Sequence, residues 1–146
     1  MYHPTALRVA ILTSVFGCVL AQNTTTLAYD PTYDNPALSL NAVACSNGPN
    51  GLETRGYTTL GSLPNYPFIG GFSNVTAWNS PQCGSCLSVT YNPNNGTTIN
   101  ILAVDVSLVG FTVSEAAMNS LTGNQAVALG RVDVSYVLVP QSNCGL

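Results

Sequence analysis

The chain has 146 residues, 6% of them charged, with three Lys or Arg against six Asp or Glu and a formal net charge of −3. Neutralising phosphates or settling on anionic lipid needs clustered cations, so nucleic acid and charged membrane surfaces are excluded as partners. The length suits one domain with its own core.

In chain order, residues 1–21 (MYHPTALRVAILTSVFGCVLA) have the layout of a secretory signal peptide: Arg8 at the front, an apolar run from Val9 to Leu20, and small residues at Val19 and Ala21. The apolar run falls well short of the ~20 residues a membrane span needs. Cleavage is expected after Ala21, giving a secreted, extracellular protein that can associate with the cell wall. The cleaved segment takes His3, Cys18 and Arg8 with it. What remains has no His and no Lys, two bases (Arg55 and Arg131) and six acids, so the net charge becomes 2 − 6 = −4.

Residues 22–28 (QNTTTLA) read as a polar lead-in to a domain over 29–146. Strands are expected around Tyr29–Tyr33 and at Thr58–Thr59, with helical turns in 37–44 and 74–80. Leu87–Tyr91 and Thr98–Val106 flank Asn92-Pro-Asn-Asn-Gly96 and read as a hairpin. Ser114–Leu121 reads as a short helix, with Ser114 as its cap, Glu115 against the dipole and Gly123 as its stop. Its buried face would hold Val113, Ala117 and Leu121. Arg131–Val139 is a long strand with Val132, Val134, Tyr136 and Leu138 on one face. The fold class is mostly β with small helices. Asn23, Asn74 and Asn95 each begin an N-x-Thr sequon and are candidate glycosylation sites.

Four cysteines follow the signal: Cys45, Cys83, Cys86 and Cys144. An even count in a small exported chain reads as two disulfides. One C-x-x-C pair without His is a poor zinc site, and no metal or other cofactor is expected. A bond within Cys83–Cys86 would constrain little. Chain entropy favours either of the two long-loop pairings and does not choose between them.

Without His, and with its thiols oxidised, the chain cannot assemble the usual Ser/His or Cys/His nucleophiles. Carboxylates are the remaining acid–base groups. Asp105 ends an apolar strand, where desolvation would favour its protonated form, as a general acid requires. Equally, it can hold a neighbouring loop by hydrogen bonds. Asp30 and Asp34, in YDPTYD, are its possible partners or simple turn formers. Sugars bind to polar groups and aromatic faces in preformed clefts. Tyr29, Tyr33, Tyr57, Phe68, Trp78 and Phe111 offer such faces, although Trp78, near Cys83, reads as core rather than platform.

These residues carry a resemblance. Tyr29-Asp-Pro-Thr-Tyr33, Ala44-Cys-Ser-Asn-Gly48, Gly70-Gly71 ahead of Trp78, Ser80-Pro-Gln-Cys-Gly-Ser-Cys86, Val104-Asp105 before Gly110-Phe111, Gly130-Arg-Val-Asp133 and Ser142-Asn-Cys144 follow one another in an order similar to the cerato-platanin family of small secreted fungal proteins. Val109 and Thr112 depart from that pattern beside Asp105. The resemblance implies a six-stranded double-psi β-barrel with a few short helices, and the pairings Cys45–Cys83 and Cys86–Cys144. It also implies a non-catalytic protein whose groove, with Asp105, Asp30, Tyr33, Gly110 and Phe111, binds N-acetylglucosamine oligomers or another cell-wall polysaccharide. Recognition at the plant surface, through a receptor, would make it an elicitor of defence. Expansin-like loosening of cellulose and self-assembly as a surface-active wall protein are the alternatives.

Overall fold

The structure, a computed structural model, describes residues 22–146, so the expected signal peptide lies outside the described residues. Six strands, β1 (Asn23–Tyr29), β2 (Ile69–Phe72), β3 (Cys86–Tyr91), β4 (Thr97–Val106), β5 (Phe111–Val113) and β6 (Arg131–Val139), close into a barrel in the order β1-β5-β2-β4-β3-β6. The pairs β1/β5 and β2/β4 are parallel and the other four antiparallel, the pattern of the double-psi barrel. Among the described residues, no helix is long and apolar enough to cross a membrane.

The hairpin and the last strand lie where alternation placed them. β3 and β4 pair from Cys86↔Leu102 to Tyr91↔Thr97 around the helical turn α1 (Pro93–Gly96). On β6, Val132 and Val134 are buried and Tyr136 half-buried, but Leu138 is 65% exposed. The register explains this, because β1 begins opposite Tyr136 and leaves the end of β6 uncovered on that side. Helix α2 spans Glu115–Thr122, with the Ser114 side chain accepting from the Ala117 amide and Gly123 in the left-handed region. Val113, Ala117 and Leu121 are all buried, as expected. A second short helix, α3, covers Ala126–Leu129.

Elsewhere the structure differs from the sequence reading. The polar lead-in is a barrel strand. Residues 23–28 pair with β6 from Asn23↔Tyr136 to Ala28↔Arg131, and Leu27 is fully buried. Its β-branched threonines fit a pleat with one wet face, which polarity alone disguised. The strand stops at Tyr29 because Pro31, which has no N–H, opens a 3-10 turn over Pro31–Asp34 capped by Asp30. Thr59 makes only an isolated bridge to Ser39. A helical turn does form at Leu40–Ala42, but residues 74–80 contain only turns and bends. Two strands, β2 and β5, went unforeseen. Ile69-Gly-Gly-Phe72 is buried throughout and shows no alternation, while β5 has only three residues.

The disulfides are Cys45–Cys83 and Cys86–Cys144, with Cα–Cα separations of 5.3 and 5.7 Å. The C-x-x-C pair is therefore two adjacent staples pulling in different directions. One holds the loop before Leu52, the other the C-terminus.

Candidate functional site

Asp105 lies near the end of β4, where the strand leaves the core: Val104 is fully buried and Asp105 half-exposed. Its Oδ1 accepts from the Ala44 amide at 2.9 Å and from the Val106 amide at 2.8 Å. Its Oδ2 accepts the Tyr33 hydroxyl at 2.9 Å. The partners at positions 33 and 44 come from loops remote in sequence. The carboxylate thus acts as a brace, an acceptor holding two loops against the barrel. Of the two readings of Asp105 open from sequence, the loop-holding one describes the geometry.

Asp105→Ala should lower the unfolding free energy by about 2 kcal/mol, since charge-assisted bonds to the amide and phenol are lost and their donors left unpaired. Asp105→Asn, which keeps one acceptor oxygen, should lose roughly half as much. Urea denaturation of the two variants measures both.

The other two acids are also occupied with the backbone. Asp30 Oδ1 accepts from the Thr32 amide at 2.8 Å. Asp34 caps α2 from a distance, accepting from Glu115 and Ala116 amides at 2.7 and 3.0 Å, while its carbonyl accepts the Tyr66 hydroxyl. Negative charge there complements both the free amides and the helix dipole.

Tyr33 is the perturbed group. Burial first, then the charge of Asp105, the hydrogen bond to it and the charge of Asp30 push its phenol well above the ordinary 10.0. Folding therefore holds the Tyr33 proton more tightly than the unfolded chain does. That contribution is complete below about pH 10 and is lost as pH rises from there toward the folded value. Melting temperatures of the wild type should fall more steeply above about pH 10 than those of Tyr33→Phe. Equal slopes would show that the phenol is not coupled to folding.

An open groove of about 460 Å³ runs beside this brace, lined by Asp30, Tyr33, Val106, Ser107, Leu108, Val109, Thr112 and Arg131. The structure therefore brings Asp30 and Tyr33 to one groove and sets Asp105 behind it, bonded to Tyr33. Ser107 Oγ donates to the Val109 carbonyl at 3.1 Å and sits 3.0 Å from the Thr112 hydroxyl. Leu108 and Val109 stand at the rim, 96% and 59% exposed.

Gly110 and Phe111 do not belong to this surface. Gly110 is buried with φ +56°, and a Cβ there would lie 2.1 Å from the Thr26 carbonyl oxygen, so only glycine lets the loop pass β1. Phe111 is fully buried, stacked on Phe72 at 4.8 Å with the Tyr136 ring edge-on at 5.2 Å. It is a core residue and offers no face to a ligand. Trp78 is the reverse case: expected in the core, it is 60% exposed.

Arg131 was visible in the sequence only as the first residue of a strand. Its place in the groove follows from the β1/β6 register, which sets it opposite Ala28. Its guanidinium donates to Thr26 Oγ1 at 2.7 Å. Arg131 also edges a second cleft of about 400 Å³ between β6 and the β3–α1 turn, lined in part by Tyr91, Pro93 and Leu129. Of the sequons, Asn23 is exposed at the start of β1, Asn74 is exposed on the turn after β2, and Asn95 lies within α1.

Comparison with known proteins agrees with this architecture. A family model described as Cerato-platanin matches residues 25–146, which include all but the first two residues of β1. The chain is 48% identical over 124 residues to the "Heat-stable 19 kDa antigen" of Coccidioides immitis, covering 85% of this chain and 83% of that protein. It is similar to the crystal structure of cerato-platanin 2 from M. perniciosa, with TM-score 0.82 and 44% identity, over 85% of this chain and 100% of that one. It is also similar to the solution structure of the fungal elicitor Cerato-Platanin, with TM-score 0.72 and 45% identity, over 82% of this chain and 95% of that one.

Proposed function

The chain belongs to the cerato-platanin family, and we propose from that membership that it is a secreted, non-catalytic protein of the cell-wall space that binds chitin-type oligosaccharide and can act as an elicitor of plant defence. The observation that carries the binding reading is the groove of about 460 Å³, whose lining sets the more exposed Asp30, Thr112 and Arg131 beside the buried Tyr33 and Ser107. Such a preformed cleft offers hydrogen-bond partners to sugar hydroxyls, with Val106 and Val109 beneath the C–H faces.

Two features support the absence of catalysis. The four cysteines after the signal are tied in disulfides, and no His follows His3. The carboxylates of Asp30, Asp34 and Asp105 are each engaged by backbone amides as structural acceptors. The elicitor part of the reading leans on the similarity to a protein named a fungal elicitor, and it implies a plant surface receptor as a further partner.

A titration of N-acetylglucosamine oligomers followed by amide chemical shifts tests the binding reading. Shifts are expected at residues 30–33, 105–112 and 131. Oligomers that leave all of these unmoved would remove the groove as the site, and release of reducing sugar from any wall polysaccharide would overturn the non-catalytic part.

A second reading, adsorption to apolar surfaces, has its own support in Leu108, Val127 and Leu138, which are 96%, 71% and 65% exposed. Film formation at an air–water interface that is lost in Leu108→Ser would favour it.

A further inference from the structure

Trp78 is the most unusual exposed side chain on the molecule. Its indole N–H donates to Asn47 Oδ1 at 2.7 Å, so the polar end of the ring is tied down while 60% of the residue faces solvent. The segment carrying it is clasped to the loop at 47–50. Asn79, held in the left-handed region at φ 59°, accepts the Asn50 amide on its side chain and the Asn50 carboxamide on its carbonyl, both at 2.9 Å. Gly48, at φ +88°, supplies the floor. A Cβ there would come within 2.8 Å of Asn79 Oδ1 and 3.1 Å of the Trp78 ring, so glycine is what lets the ring lie against the loop. The Cys45–Cys83 disulfide joins the two segments a few residues away. This ring is fixed before any ligand arrives, which removes the ordering penalty that a free side chain would bring to binding.

The surroundings limit what the ring can meet. Residues 35–52 and 56–104 contain no Asp, Glu, Lys, Arg or His, so both segments of the clasp are free of charge. The exposed residues beside Trp78 in sequence are Asn74, Thr76 and Ala77, and those of the facing loop are Asn47 and Pro49, all of them uncharged. None of the exposed large aliphatic residues lies in either segment. An anchored aromatic face within a neutral, hydrogen-bonding surface suits a ligand that is uncharged, flat and rich in hydroxyls. An acyl chain would want aliphatic neighbours, and a charged polymer would want counter-charges.

We propose that Trp78 is a second carbohydrate contact, a rigid platform on which one pyranose ring of a neutral β-linked polysaccharide stacks, separate from the groove at Asp30, Tyr33 and Arg131. The choice of a sugar rests on the reading in the preceding subsection, but the site shares no residue with the groove. A wall protein with two such contacts would hold an insoluble polymer more firmly than a free oligomer, because the second contact forms at high local concentration once the first is made.

Trp78 is the chain's only tryptophan, so emission excited beyond the tyrosine absorption band reports this site alone. The disulfide-bonded protein is titrated with the hexamers of N-acetylglucosamine and of β-1,4-glucose, with emission and calorimetry read in parallel, for the wild type, Trp78→Ala, Trp78→Phe, Gly48→Ala and Arg131→Ala. The expected result is a saturable emission change with one of the hexamers, retained in Arg131→Ala. Retention on insoluble chitin or cellulose should be about fivefold weaker in Trp78→Ala and intermediate in Trp78→Phe. Gly48→Ala, in which the ring is displaced, should resemble Trp78→Ala while melting as a folded protein.

Calorimetric binding with no change in emission would overturn the platform and leave the groove reading standing. An emission change with no response at groove residues would remove the groove and keep the platform. Silence in both removes both. An emission change on phosphatidylcholine vesicles, with none on either hexamer, would overturn the proposal in favour of an interfacial anchor.

Discussion

Phe111→Ala is expected to lower the unfolding free energy by about 4 kcal/mol, the range found when a fully buried aromatic ring is emptied. The ring has no exposed surface and lies between Phe72, stacked at 4.8 Å, and Tyr136, edge-on at 5.2 Å. The backbone around it is pinned on both sides, with Leu27 and Phe111 in register on β1 and β5 and Phe72 opposite on β2. A void there cannot collapse readily, so both the lost transfer energy and the cavity contribute. Guanidinium unfolding should show a lower midpoint with an unchanged slope. Phe111→Leu, which refills most of the volume, should lose only about 1 to 1.5 kcal/mol. On the proposed function, it should also keep the N-acetylglucosamine oligomer binding expected of the wild type. A stable Phe111→Leu protein that no longer bound them would place the ring in the site after all.

Removing a disulfide should have an effect of similar size. The Cys45–Cys83 and Cys86–Cys144 bridges span sequence separations of 38 and 58. In the chain-entropy account each restricts the unfolded chain by about 4 kcal/mol. The double replacement Cys86→Ser with Cys144→Ser should therefore destabilise by about that amount, read by urea unfolding under oxidising conditions.

The pair Cys45→Ser with Cys83→Ser should do more than destabilise. The Cys45 amide donates to the Val104 carbonyl at 3.1 Å, and the neighbouring Ala44 amide donates to Asp105. Asn47 and Asn50, just beyond, hold the Trp78 segment. Hydrogen exchange in residues 44–52 should accelerate in this variant ahead of the barrel strands. Uniform acceleration across β3, β4 and β6 would show that the bridge supports the whole fold and not this loop in particular.

Local devices could be read without a structure because each is complete within a few residues. Helix α2 carries its cap at Ser114, its acid at Glu115 and its stop at Gly123 within a single stretch. β4 and β6 announce themselves by length and alternation. The disulfide partners came only through the family resemblance, since the spacing admitted two long-loop arrangements and coordinates were needed to see the bonds. Of the site, Asp30, Tyr33 and Asp105 were named from sequence and do lie in or behind one groove. Ser107 was not singled out, and neither was Arg131 as part of a site. A serine in a turn and an arginine at a strand end have no local mark of what the barrel places opposite them.

Residue chemistry and short-range order therefore came from the sequence by itself: a chain with no His after residue 3, few charges, oxidisable cysteine pairs, and the strands and helix whose signals are periodic. Only the tertiary structure decided which aromatic is hidden and which shown, sending Phe111 inward and Trp78 outward. It alone made Asp105 a brace for Tyr33 and Ala44, and Asp34 a cap for a helix 81 residues further on. The reason is physical. Burial and hydrogen-bond partnership depend on which surfaces meet when six strands close on one another, and in this barrel the neighbours that matter are dozens of residues apart.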